Sequence, residues 1–215
     1  LVVMPALAQG KTLFSEDFEG AWSPLNDGST WSAYYCDDAW TTDLSGGVMA
    51  TTDDSCCALN ENCNYAVYPV CEQSEPKDNH VVAGDTAWTD YRYQVRLKNS
   101  DDDAVGVVFR HSNSANYYLL YMTYDRAPVV ESSCYNESVQ GTTLLRIRSS
   151  DNSSAGTAVQ LAESNAAYTV GAVHLLTVEV SGTLIKAWLD KDLPTGSDPE
   201  NLILEYNDDS GEALK

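Results

Sequence analysis

The chain is 215 residues long, 43% apolar and 20% charged, a composition that supports a packed core and excludes disorder or low complexity as its organising state. Twelve Lys and Arg stand against 32 Asp and Glu, a formal charge of −20 at pH 7. Such a surface repels phosphate backbones and anionic bilayers, so nucleic acid is excluded as a partner, and no apolar run reaches the roughly 18 residues of a membrane span.

Taken in chain order, residues 1–10 form an apolar segment with two readings. Ala6-Leu7-Ala8 before Gln9 fits the small-residue pattern of a signal-peptide cleavage site, which places the protein outside the cell. The same stretch, with Leu1, Val2, Val3, Met4 and Leu7, also suits an extended strand donated to another copy of the chain. Residues 11–215 read as one domain, with no repeat or Pro/Gly/Ser linker to divide them. Phe14 to Phe18 is expected as an edge strand.

Residues 34–75 are Cys-rich and read as long stapled loops inserted in the domain. Cys36, Cys56, Cys57, Cys63 and Cys71 lie there, and Cys134 stands alone downstream. Paired Cys-x-x-Cys or Cys/His spacing for zinc is absent, so an even count in a Tyr- and Ser-rich chain reads as disulfides in an oxidising compartment. Six cysteines allow 15 connectivities, and spacing does not choose among them.

The remainder alternates with period two. Tyr91, Tyr93, Val95 and Leu97 face one way against Arg92, Gln94 and Arg96. Val105, Val107 and Phe109 form the next stripe after the acidic turn Asp101-Asp102-Asp103. Residues 116–124 are apolar on both sides, as in a strand central to a sandwich or lining a binding face. Shorter strands are expected at 144–148 and 157–161, a hairpin at 174–180 and 184–189 around Gly182, and a last strand at 202–206. Residues 162–168 are expected to make a turn or two of helix. About ten short strands imply an all-β sandwich or jelly roll.

Aromatic supply is generous, with 13 Tyr and 5 Trp against 3 Phe. Sugars stack their apolar faces on exposed rings beside planar polar groups, and Trp88, Tyr117, Tyr121 and Trp40 are the candidate glycan contacts, with Arg110 and Asn113 near the first three. Catalysis has little support. The Glu-x-Asp-x-x-Glu pairing of glucanases, the Gly-x-Ser-x-Gly elbow, His-Glu-x-x-His and the phosphate loop are all missing. His174, opening an apolar strand, is expected in a structural hydrogen bond, and His80 and His111 in loops.

Phe14-Ser-Glu-Asp-Phe-Glu-Gly, then Trp88-Thr-Asp-Tyr-Arg-Tyr-Gln-Val, Asp101-Asp-Asp-Ala-Val-Gly-Val-Val-Phe-Arg and Asn116-Tyr-Tyr-Leu-Leu-Tyr, resemble strands of concanavalin-A-like lectin and laminin-G-like sandwich modules. The thrombospondin C-terminal module has a comparable succession, and residues 174–190 resemble the late hairpin of that family. The resemblance implies a concanavalin-A-like jelly roll with a disulfide-rich loop insertion, and calcium near the first strand or at the sandwich rim. Calcium takes six to eight hard oxygen ligands, and Asp101, Asp102 and Asp103 match the thrombospondin-like turn, followed by Glu16 and Asp17.

Such modules end with a further Gly-rich strand beside the first, and none follows the turn at 207–211 here. The expectation is an open edge completed either by a closing strand beyond Lys215 or by residues 1–7 of another copy, passed head to tail into a filament. The functional reading is therefore a non-catalytic, secreted, lectin-like structural or adhesive protein. The alternative is a glycan-binding module of a secreted carbohydrate-active protein.

Overall fold

A computed structural model describes residues 31–34, 40–43, 48–51, 80–83, 86–100, 104–113, 115–124, 141–149, 157–191 and 199–214. All regular structure among them is β. Strand β1 (Trp31–Tyr34), β2 (Trp40–Asp43), β3 (Val48–Thr51) and β4 (His80–Ala83) form two antiparallel ladders, β1 with β4 and β2 with β3. Because Tyr34 pairs with His80, the segment carrying five of the cysteines leaves and returns at adjacent strands.

The body is built from β5 (Tyr91–Lys98), β6 (Val105–Asn113), β7 (Asn116–Thr123), β8 (Gly141–Arg148), β9 (Thr157–Ser164), β10 (Val173–Ser181), β11 (Leu184–Leu189) and β12 (Leu202–Asn207). One antiparallel sheet is the meander β6-β7-β8-β9; the other has the order β12-β11-β10-β5. The β10–β11 hairpin closes with Gly182 at φ 57°, the left-handed backbone that a tight two-residue turn matched to strand twist requires. Its N–H is held by Asp90 Oδ1 at 2.5 Å.

The two sheets pack face to face, β12 over β9 and β5 beside β6. Between them lie Phe109, Tyr118, Leu120, Met122 and Leu144 from one sheet and Leu176, Val178, Val180, Ile185, Ala187 and Leu204 from the other. Alternation explains the division: along β7, even-numbered side chains point into this layer and odd-numbered ones away from it. Removal of this apolar surface from water is the principal stabilisation of the sandwich. The all-β sandwich expected from the pattern is therefore what forms.

Three local expectations are corrected. Residues 162–168 make no helical turn: β9 runs on to Ser164, and an irregular stretch leads to the turn at 170–171. The Ala-rich composition there was overridden by pairing, since Thr142 and Thr143 hold Ser164 and Glu163 in register. His80 and His111 lie in strands β4 and β6 rather than in loops. The short strand at 144–148 starts at Gly141, where a Cβ would stand 2.5 Å from the Ser164 carbonyl oxygen, so the start of β8 needs glycine.

Candidate ligand-binding rim

Register places four connections at one end of the sandwich. Lys98 pairs with Val173, Val105 with Met122, Thr123 with Gly141, Thr142 with Ser164 and Leu176 with Leu189. The β5–β6, β7–β8, β9–β10 and β11–β12 connections therefore emerge together.

Three of the four large exposed apolar side chains among the described residues gather at this end: Tyr124 at 39% exposure, Val170 at 38% and Val173 at 60%. The Tyr124 ring, one residue past β7, lies 6.2 Å from the buried Tyr168 ring, tilted by 47°. The Tyr168 hydroxyl accepts a hydrogen bond from Asn99 Nδ2 at 3.2 Å, and Gly171 N–H donates to the Asn99 carbonyl at 2.7 Å. Gly171 has φ 77°, a conformation that lets the chain turn back into β10. An exposed phenol ring backed by a buried one that is tied to a carboxamide, with Val170 and Val173 also exposed at this end, gives the rim a mixed apolar and polar character.

The neighbouring β11–β12 connection is braced by side chains. Thr169 N–H donates to His174 Nε2 at 2.9 Å, so the ring proton sits on Nδ1, which donates to Asp190 Oδ2 at 2.8 Å. Asp190 Oδ1 accepts from Leu175 N–H at 2.9 Å, and Lys191 pairs with Glu200 at 2.5 Å. His174 is structural, as its position at the head of a strand implied.

The outer face of the β5 sheet carries a charge row. Arg92 binds Glu179, with Nε donating at 2.8 Å, and Lys186 lies 3.3 Å from Glu205. Further along β5, Gln94 donates to Thr177 Oγ1 at 2.9 Å, and Arg96 and Lys98 project outward beside Leu175 and Val173.

The opposite end is locked rather than open. Cross-strand neighbours Tyr118 and Arg146 meet Asp208, just past β12: the phenol donates to Oδ2 at 2.6 Å, and Arg146 Nη1 donates to Oδ1 at 2.7 Å. Arg110, buried and at φ 48°, donates to the carbonyls of Thr89 and Leu214, and Arg148 to that of Glu212. Burial works against ionisation of Asp208, yet hydrogen bonds from Tyr118, Ser210 and Arg146 outweigh it and hold the carboxyl below its usual range. Burial, with the bond to Asp208, pushes the Tyr118 phenol up to about 12. Burial also raises Tyr91, Tyr93 and Tyr121.

Of the residues singled out as glycan contacts, Trp88, Tyr117 and Tyr121 have described side chains, and these are not brought together on one exposed face. Trp88 is half-buried at the locked end, its ring 6.4 Å from that of Tyr91. Tyr117 and Tyr121 form a second buried cluster with Leu145 and Ile147 on the face of β7 and β8 away from the main core, so neither ring is an exposed platform. Trp40 lies in β2, and its side chain is outside the described residues. Asp101, Asp102, Asp103, Glu16 and Asp17, the cysteines, and Leu1, Val2, Val3, Met4 and Leu7 also lie outside them. Among the described residues, no three His, Cys, Asp or Glu side chains are grouped as metal ligands. Asp208, in the turn at 207–211, is committed to Arg146 and Tyr118. Tyr124 and Asn99 were visible only as an aromatic ending a strand and a polar residue opening a turn.

No family model matches the chain, and no curated protein matches it. Among solved structures, a carbohydrate-binding module, CBM66 from Bacillus subtilis, is similar at 18% identity and a TM-score of 0.43, over 60% of this chain. The match spans 65% of that module's own chain.

Proposed function

We propose that this chain is a non-catalytic, extracellular glycan-binding module on a concanavalin-A-like sandwich, with the rim around Tyr124 as its ligand surface. One observation carries the reading: Tyr124 is an exposed ring seated on Tyr168, whose hydroxyl is tied to Asn99, at the end where Val170 and Val173 are also exposed. A sugar offers C–H faces to a phenol ring and hydroxyls to amide and backbone groups, and it gains little from a site without both. Ordering by Tyr168 lowers the entropy lost when Tyr124 is immobilised by a ligand.

Calcium belongs to the proposal. In sequence, Asp101, Asp102 and Asp103 stand between Ser100 and Ala104, just after β5, and lie outside the described residues. A hard cation held there would fix the β5–β6 connection beside the ligand surface. Strand donation by Leu1, Val2, Val3, Met4 and Leu7 has no supporting observation, since that segment is outside the described residues. The glycan reading is preferred for that reason.

The test is affinity electrophoresis and calorimetry against a panel of soluble polysaccharides. Retention by at least one, lost in Tyr124→Ala with the melting temperature unchanged, supports the assignment. A protein that binds none of them, or a Tyr124→Ala variant that binds as the native chain does, overturns it.

A further inference from the structure

Positive charge is scarce in this chain, and where it is described it is almost all spent. Arg92 is held by Glu179, Arg110 by two carbonyls, Arg146 by Asp208 and Glu212, Arg148 by the Glu212 carbonyl, Lys186 by Glu205 and Lys191 by Glu200. Arg96 and Lys98 are different: both are exposed, and neither has a hydrogen-bond or ion-pair partner among the described residues. They project from the same face of β5, roughly 6.6–6.8 Å apart along the strand. Across the ladder they face Leu175 and Val173, the most exposed large apolar residue described.

In a chain of charge −20, two adjacent cations left without carboxylates form a local inversion of the field. Acidic side chains are plentiful, and a pairing with one of them would have cost little. Lys98 ends β5 and adjoins Asn99 in the chain, so the pair lies at the same end of the sandwich as the rim. A planar guanidinium matches a carboxylate in a two-point fork, an ammonium adds a flexible point charge, and Val173, paired with Lys98 across the ladder, supplies exposed apolar surface beside them.

From this juxtaposition we infer that the ligand is an acidic, uronate-bearing polysaccharide whose carboxylates are read by Arg96 and Lys98 while a sugar ring lies on Val173 and Tyr124. The inference rests on the glycan-binding reading. It accounts for selectivity that an aromatic rim alone does not supply, because the surrounding acidic surface repels any polyanion that does not engage these two side chains.

The experiment compares polygalacturonate with its fully methyl-esterified form, and adds poly-glutamate as a charged chain without sugar rings. The native protein is expected to bind polygalacturonate roughly tenfold or more tightly than the ester, with affinity falling as salt is added. The Arg96→Gln/Lys98→Gln double variant is expected to lose that margin while melting as the native protein does, both side chains being exposed. Arg92→Gln, already neutralised by Glu179, is expected to retain most of it. Equal binding of acid and ester by the native protein, or a double variant that keeps the margin, overturns the carboxylate assignment and leaves the glycan reading standing. Poly-glutamate binding as tightly as polygalacturonate also overturns it, by making the stripe a general acidic-chain surface. If polygalacturonate, its ester and the neutral panel all fail to bind, the glycan reading fails as well.

Discussion

Arg146 and Asp208 meet across 62 residues of sequence, the Nη1 atom donating to Oδ1 at 2.7 Å and to Oδ2 at 2.8 Å. Their side chains are 5% and 0% exposed. Two buried charges repay their desolvation only when the geometry is good and the remaining lone pairs are satisfied. Here Tyr118 and Ser210 also donate to the carboxylate, at 2.6 and 2.7 Å, and Arg146 Nη2 reaches Glu212 at 2.8 Å. The pair fastens residues 208–214 across the end of the sandwich.

Asp208→Asn keeps the shape and removes the charge, leaving Arg146 buried without its counter-ion. It is expected to destabilise the fold by about 3–5 kcal/mol, read from urea unfolding. Glu212→Gln, whose side chain is largely exposed, is expected to cost less than about 1 kcal/mol.

The same cluster sets the pH limits. The folded Asp208 carboxyl titrates below its unfolded counterpart, so its contribution is complete above about pH 4 and is lost as pH falls through the folded value. Tyr118 has the opposite sign: its folded phenol titrates near 12 against about 10 unfolded, so its contribution is complete below pH 10 and is lost between 10 and 12. Tyr91, Tyr93 and Tyr121, all raised by burial, add to the alkaline loss. Phenolate absorbance followed with circular dichroism is expected to show these tyrosines ionising together with unfolding, after the exposed ones.

Gly106 faces the β7 backbone so closely that an added Cβ would lie 2.6 Å from the Tyr121 Cα and closer still to the Leu120 carbonyl oxygen. Gly106→Ala is expected to part β6 from β7 locally and cost about 1–3 kcal/mol, measured as a lowered denaturation midpoint.

Tyr124 and Trp188 separate binding from folding. Trp188 is fully buried on the outer face of the β5 sheet, and Trp188→Ala is expected to cost about 3–5 kcal/mol in unfolding experiments. Tyr124→Ala is expected to leave the melting temperature within a degree or two and abolish polysaccharide retention.

A cation that binds the native state raises the unfolding temperature by an amount that grows with the logarithm of its excess over the dissociation constant. Millimolar Ca²⁺ is expected to raise the melting temperature, and Asp101→Asn/Asp103→Asn to remove the increment while leaving the metal-free melting temperature unchanged. An identical melt with Ca²⁺ and with chelator would remove calcium from the proposal.

Strands β5, β6, β7, β10, β11 and β12 were legible because alternation is a local property, written in side chains two residues apart. The sandwich class follows from those strands and their turns. The sites were not legible in the same way. Tyr117 and Tyr121 alternate correctly, yet period two assigns two faces to a strand without saying which one meets water. Asp208 and Asp209 look alike in sequence, and only the return of the chain to Arg146 makes the first a buried counter-ion.

From the chain alone came the acidic charge, the strand pattern, the clustering of five cysteines in sequence and the structural place of His174, all consequences of composition or of neighbours a few residues apart. Tertiary packing decided the rest. It buried both faces of β7, gathered Tyr124, Asn99, Val170 and Val173 at one rim, spent Arg146 on Asp208 and left Arg96 and Lys98 without partners among the described residues. Those outcomes depend on which strands lie side by side, from some twenty residues apart between β7 and β8 to more than seventy between β5 and β10, and the free energy that selects among such pairings belongs to the whole sandwich rather than to any segment of it.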